Sequence, residues 1–184
     1  MKKSIYIIFL TLFLLCCKND HQMIYSKVDG LNHQEILNGK ESAEKYALEL
    51  IYKIDTTLSD KYFHVFINKL NDGPKIWKPY YLNALSIYCN NIKEDQIFLL
   101  KASIFNYLIH NPKEYIENIE KMSLENSDCF LENLASYIQD YISQKEITII
   151  SMKNVAQKYC ENCSDEEIKI LYDYFDLVYK YQTE

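Results

Sequence analysis

NIKEDQIFLLKASIFNYLIHNPKEYIENI, residues 91–119, carries the plainest folding instructions in the chain. Its first half is apolar on almost every side, through Ile97, Phe98, Leu99, Leu100, Ile104, Phe105, Leu108 and Ile109. A helix of that kind is expected at the centre of a helical core. Asn91 and Glu94 have capping-box spacing at its start. Asn111-Pro112-Lys113-Glu114 then reads as a second start. Asparagine caps, proline takes the first helical position, and the glutamate is placed to reach back to the cap. Tyr115, Ile116, Ile119 and Met122 follow as an apolar stripe. Two helices with so short a link fold back on each other as a hairpin.

The same period extends in both directions. Ala43, Tyr46, Ala47, Leu50, Ile51 and Ile54 mark one helix, and Phe63, Phe66, Ile67 and Leu70 mark the next, opened near Ser59-Asp60. Asn71-Asp72-Gly73-Pro74 stops that helix. Pro79 suits the first turn of a third, with Leu82, Leu85, Tyr88 and Cys89 along it. Beyond the quoted stretch, a helix from about Asp128 turns Leu131, Leu134, Ala135, Ile138, Tyr141 and Ile142 inward. Residues 146–152 are ambiguous, because Ile147-Thr148-Ile149-Ile150 is rich in β-branched side chains. Helix resumes through Val155, Ala156 and Tyr159. Ser164-Asp165-Glu166-Glu167 is a further capping box, opening a last helix with Ile168, Leu171, Phe175 and Val178 on one side. The expectation is an all-α domain over residues 41–184, with about eight short helices in antiparallel hairpins. An irregular helical bundle or a HEAT-like α-solenoid would satisfy it, and no strict repeat of solenoid length is present.

Composition agrees. Three glycines and three prolines in 184 residues are too few for the turns of a β-sandwich or the loops of a parallel sheet. Arginine is absent, so no bidentate guanidinium clamp on phosphate or carboxylate can form. The 17 tyrosines accompany abundant Ile, Asn and Lys, a bias that AT-rich codons explain without a base-stacking role.

Residues 1–17 have a different character. Lys2 and Lys3 precede an apolar run over residues 5–15, interrupted only by Thr11, and the run ends in Cys16-Cys17. A basic start and an apolar run of this length are the first parts of an export signal, and the run falls short of the roughly 20 residues a spanning helix needs. Leu14-Leu15-Cys16-Cys17 resembles the lipobox of bacterial lipoproteins. The resemblance implies a signal peptide over residues 1–16 and lipidation of Cys17, since Cys16 before it is small, whereas Leu15 before Cys16 is bulky. The family usually has Gly, Ala or Ser where Cys16 stands. Bacterial lipoproteins carry a diacylglycerol and often a third chain, which meets the need for more than one hydrophobic signal in stable anchoring. Lys18, rather than Asp, follows the modified cysteine, which by the same resemblance favours the outer membrane, facing the periplasm, over the inner membrane. Residues 18–40 are polar and weakly periodic and read as a tether that could extend up to about 75 Å. A chain starting at Cys17 has 168 residues, with 18 lysines against 26 acids, a net charge of −8. That balance argues against nucleic acid as a partner. Residues 100–130 also resemble a segment of small, uncharacterised exported all-helical proteins of proteobacteria, in which an apolar helix is followed by Asn-Pro and later a cysteine. That resemblance implies no activity.

An oxidising compartment makes disulfides the expected state of the remaining cysteines, Cys89, Cys129, Cys160 and Cys163. Cys160–Cys163 is the first candidate by proximity, with Cys89–Cys129 considered as its rival. Cys160-Glu161-Asn162-Cys163 has the C-x-x-C spacing of redox motifs. It lacks the βαβ context, and Glu161, Asp165, Glu166 and Glu167 crowd it with negative charge that disfavours a thiolate. A structural closure between the last two helices is expected instead. His21, His33, His64 and His110 are scattered, with no metal spacing, and the acid pairs Glu41/Glu44 and Asp173/Asp176 are expected on solvated faces. No catalytic residues and no cofactor are assigned. The expected function is a non-enzymatic protein-binding module tied to the membrane by its N-terminal lipid, as an immunity or inhibitor protein. The alternatives are an accessory subunit of an envelope assembly and, of another class, an enzyme whose pocket is assembled from scattered helix residues.

Overall fold

Ser42 begins the domain's first long helix by accepting a hydrogen bond from the Lys45 amide at 3.1 Å. The computed structural model describes residues 27–28, 30–119, 124–145 and 147–181. Two short strands, β1 (Lys27–Val28) and β2 (Leu31–Asn32), precede nine helices among these residues. The helices are α1 (His33–Leu37), α2 (Ala43–Ile51), α3 (Asp60–Asp72), α4 (Lys78–Ile87), α5 (Glu94–His110), α6 (Pro112–Ile119), α7 (Leu124–Lys145), α8 (Ile149–Lys158) and α9 (Asp165–Lys180). The structure is 78% helical, against about a third in an average domain, so the all-α class holds. The eight expected helices correspond in order to α2–α9.

Local chemistry explains most boundaries. Ser59, Thr148 and Ser164 each cap the following helix, the last two in capping boxes with Ser151 and Glu167. Thr148 therefore settles the ambiguous segment, with α8 starting at Ile149. Helix α2 ends in a Schellman turn. Lys53 adopts φ 57°, its amide bonds Leu50 O at 3.0 Å, and the Ile54 amide bonds Glu49 O at 2.8 Å. Ile54, expected on the apolar stripe, lies beyond that turn and is exposed. Gly73 ends α3 at an ordinary φ of −80°. Glycine is needed there because a Cβ would collide with the Lys69 carbonyl.

Several expectations are corrected. Asn91 does not cap α5. It belongs to a 3-10 turn over Cys89–Asn91, with its amide bonded to Tyr88 O at 2.8 Å, and Lys93 precedes the helix without a side-chain cap. Glu114 does not reach back to Asn111. It accepts from the Tyr107 hydroxyl at 2.5 Å and lies 3.8 Å from Lys75, because α6 folds back against α5. Helix α5 is central but not covered all round, for Phe98 and Leu99 remain exposed. Within residues 30–40, expected as tether, α1 is capped by Asn32 and pinned through His33, and Val28 ahead of it is buried. Residues 18–26 and Cys17 lie outside the described residues.

Packing alternates direction at first. Helix α3 runs back along α2, with Tyr46 stacked on Tyr62 at 3.9 Å and Lys69 on Glu44 at 2.8 Å. Helix α4 then runs parallel to α2, tied at one end by Tyr81 to Glu44 (2.7 Å) and at the other by the Tyr88 hydroxyl to Asp55 O (3.1 Å). Helix α5 starts beside the start of α3, where Lys93 and Gln96 both bond Asp60, and α7 runs parallel to α5 through Lys101–Ser136 (2.9 Å) and Phe105–Tyr141 (5.4 Å). The layered order breaks in the last third. Helix α9 lies parallel to α6 and antiparallel to α8. The arrangement is an irregular helical bundle. One apolar core runs through it from Leu48 and Phe66 by Leu82, Leu100 and Ile104 to Leu134, Phe175 and Val178.

Candidate functional site

Helix α9 carries two apolar stripes. Leu171, Phe175 and Val178 are buried in the core. Ile170, Tyr174, Leu177 and Tyr181 form the other, at the i, i+4, i+7, i+11 spacing of a single face. Of these, Ile170 is 40% exposed, Leu177 51% and Tyr181 42%, so this face is only partly covered. Its neighbour is α6 (Pro112–Ile119), which presents Ile116 and Ile119. A groove results, made of two adjoining hollows of about 190 and 290 Å³ that share Ile116 and Ile170.

Tyr174 of α9 lines the lower hollow, and its hydroxyl meets that of the fully buried Tyr115 of α6 at 3.0 Å. Burial pushes the Tyr115 phenol well above its ordinary range and that of Tyr174 up to about 12, so both stay neutral. The rim is ionic. Lys113 pairs with Glu167 at 2.5 Å across the upper end, and Lys169 pairs with Asp173 at 2.7 Å along α9. Lys113, followed by the Ser164 backbone amide, holds the Glu167 carboxyl below the usual carboxylate range. Glu117 stands on the α6 side of the upper hollow.

Cys160 lines that end as well. Cys160 and Cys163 close the turn between α8 and α9 at disulfide distance, with Cα atoms 5.3 Å apart and the Cys163 amide bonded to Cys160 O at 3.0 Å. The closure between the last two helices is therefore where the spacing placed it. Cys89 and Cys129 are also at disulfide distance, Cα to Cα 6.1 Å, joining the turn after α4 to α7. The two pairs coexist and are not rivals. Asn133 donates to Cys129 O at 2.8 Å and touches both sulfurs of the second pair.

The other candidate groups have structural partners. His33 is buried, its ring nitrogens facing the hydroxyls of Tyr52 and of Tyr80 (3.2 Å), and burial lowers its pKa. His64 packs edge-on to Phe63 at 5.3 Å, His110 edge-on to Tyr159 at 4.5 Å, and His21 lies outside the described residues. Glu44 is not on a solvated face. Burial raises its pKa, but hydrogen bonds from Lys69, Tyr81 and its own backbone outweigh that and hold the carboxyl at about 2. Asp176 receives Lys153 at 2.7 Å. A polar hollow of about 270 Å³ between the α2–α3 loop and the start of α5 is occupied by its own bonds, Asp60 taking Lys93 at 2.6 Å and Gln96 at 3.3 Å. Among the described residues, no three His, Cys, Asp or Glu side chains are grouped to hold a metal, and no helix is long and apolar enough to cross a membrane.

Neither the scan of family models nor the searches of curated proteins and solved structures found a match to the chain. The groove residues on α6 were visible in the sequence as its apolar stripe. Those on α9 were not, because the core stripe 171/175/178 accounts for a last helix, and the second stripe becomes legible only when Ile170, Tyr174, Leu177 and Tyr181 are read together.

Proposed function

We propose that the chain is a lipid-anchored envelope protein that works as a non-enzymatic protein-binding module, in the manner of an immunity or inhibitor protein. The observation that carries the binding half is the open apolar groove between α6 and α9 with its ionic rim. Half-exposed aliphatic side chains in a row, beside fixed charges, are what a protein partner can cover. The buried ionisable groups support the same reading. Glu44, Tyr81, Tyr115, Tyr174 and His33 are engaged with one another or with neighbouring side chains in holding helices together. The anchoring half rests on Lys2-Lys3, the apolar run and Cys17. A lipid would hold the domain at a surface at high effective concentration for its partner, and the acidity of the chain would speed encounter with a basic one.

The test has two arms in cells producing the full chain. Palmitate labelling is expected to mark the protein, to vanish in Cys17→Ser and to survive in Cys16→Ser. The reverse order moves the lipid by one residue, and no labelling in either background removes the anchor. Photo-crosslinkers placed one at a time on each exposed face are expected to yield a discrete protein adduct on at least one of them. No adduct from any face would end the binding-module reading.

A further inference from the structure

We infer that the α6–α9 groove docks a single amphipathic helix that lays aliphatic side chains along Ile170, Leu177 and Ile119 and brings lysines or arginines against the acidic rim. This rests on the binding-module reading and names the partner's chemistry at that site. Four features support it.

The first is shape. From Ile170 to Tyr181 the exposed stripe of α9 runs eleven residues, about 16 Å along a helix axis. That length accepts three turns of a partner helix, whose side chains at i, i+3/i+4 and i+7 would meet the hollows beside Ile116 and Ile119. The second is polarity. Among the described residues, the lower hollow is lined by Ile116, Ile119, Ile170, Tyr174 and Leu177, with Asp173 as the one charged member. The third is charge. The two hollows are lined by Glu117, Glu167 and Asp173 against Lys113. The exposed first turn of α9 adds Asp165 and Glu166 on the same end. Among the described residues the excess is negative even with Lys169 counted, so a basic partner is favoured and an acidic one repelled. The fourth is area. Three half-exposed side chains, Ile170, Leu177 and Tyr181, fall well short of the about 800 Å² per partner that a stable globular interface needs. A slender element fits that patch better than a second copy of this chain.

The probe is a fluorescein-labelled twelve-residue peptide with leucines at helical spacing and lysines between them. Its counterpart carries glutamate in place of lysine. Both are titrated by anisotropy into the Cys17→Ser chain, which keeps every residue of the fold. The lysine peptide is expected to bind saturably at one site, and the glutamate peptide at least tenfold more weakly. Leu177→Asp and Ile170→Asp are each expected to weaken the lysine peptide at least tenfold, and Glu117→Lys at least threefold. Phe98→Asp, at an exposed residue of α5 outside the groove, is the control and is expected to leave binding unchanged. Circular dichroism establishes that each variant is folded, which is expected because Leu177, Ile170 and Phe98 are all partly exposed. Binding that survives Leu177→Asp would show attraction by bulk charge alone and overturn the inference. So would equal affinity for both peptides, absence of saturable binding, or a concentration-dependent dimer that Leu177→Asp abolishes. Failure here with crosslinked adducts retained on other faces sinks the groove but not the binding module. Loss of every adduct sinks both.

Discussion

Breaking Cys89–Cys129 should cost far more stability than breaking Cys160–Cys163, although the second pair sits in the more familiar motif. The sequence separations are 40 and 3 residues. In the chain-entropy relation, closing a 40-residue loop removes about 13 cal/mol/K from the unfolded ensemble, worth about 3.9 kcal/mol at 25 °C, and a three-residue loop on the order of 1.6 kcal/mol. The larger loop contains α5 and α6 entire, so the bridge ties the start of the central helix to α7 before either can separate. Asn133 adds a local clamp, bonding Cys129 O at 2.8 Å beside both sulfurs. The clean comparison reads each bridge by reduction within one variant, so that the cost of the deleted side chains cancels. Cys160→Ala/Cys163→Ala leaves one bridge, and its urea unfolding is measured oxidised and reduced. With a slope of about 2 kcal/mol per molar for a chain of this size, reduction should lower the midpoint by about 2 M. The reciprocal variant, Cys89→Ala/Cys129→Ala, should lose less than 1 M on reduction. Equal shifts in the two backgrounds, or a shift below about 0.5 M in the first, would refute the loop argument and the assignment of Cys89–Cys129 as the main covalent brace.

Lys53 holds a left-handed conformation (φ 57°) that disfavours a Cβ, so Lys53→Gly should stabilise the domain by about 0.5–1 kcal/mol, read as a raised urea midpoint. Glu44, with its carboxyl held at about 2 against an ordinary 4.5, contributes stability that is present above pH 4.5 and lost as pH falls toward 2. Glu44→Gln should therefore cost about 1–2 kcal/mol at neutral pH and almost nothing near pH 2, by urea titration at each pH. Burial depresses the pKa of His33, so the unfolded chain takes the proton more readily. The stability it supports is intact above about 6.5 and falls as pH drops through the lower folded value. His33→Phe should flatten that part of the pH profile, and a profile unchanged by the substitution would remove His33 as its source.

Helix positions were legible because their signals are local. A cap and its amide lie three residues apart, an apolar face repeats every three or four, and both can be read at Ser59, Pro79, Asn111-Pro112 and Ser164 without knowing what the helix touches. The misreadings occur where a distant group competes with the local rule. Glu114 has box spacing behind Asn111, yet the Tyr107 hydroxyl takes it. Asn91 has the same spacing before Glu94, yet the turn carrying Cys89 holds its backbone one turn early. The stretch around His33 looks like tether because its few apolar residues follow no clear period, and the partners of His33 are distant in sequence. Tyr52 and Tyr80, 19 and 47 residues away, supply the pocket.

Composition, periodicity and spacing were enough for an all-α chain, its helix order and the C-x-x-C closure. The tertiary structure decided which cysteine partners Cys89, that residues 31–40 fold onto the domain and which face of α9 stays open. On α9 the core takes Leu171, Phe175 and Val178, and Ile170, Leu177 and Tyr181 are left on a face that stays half-exposed. The order of apolar residues within a helix determines which stripes it has, but only the lengths and positions of its neighbours determine which stripe is left uncovered.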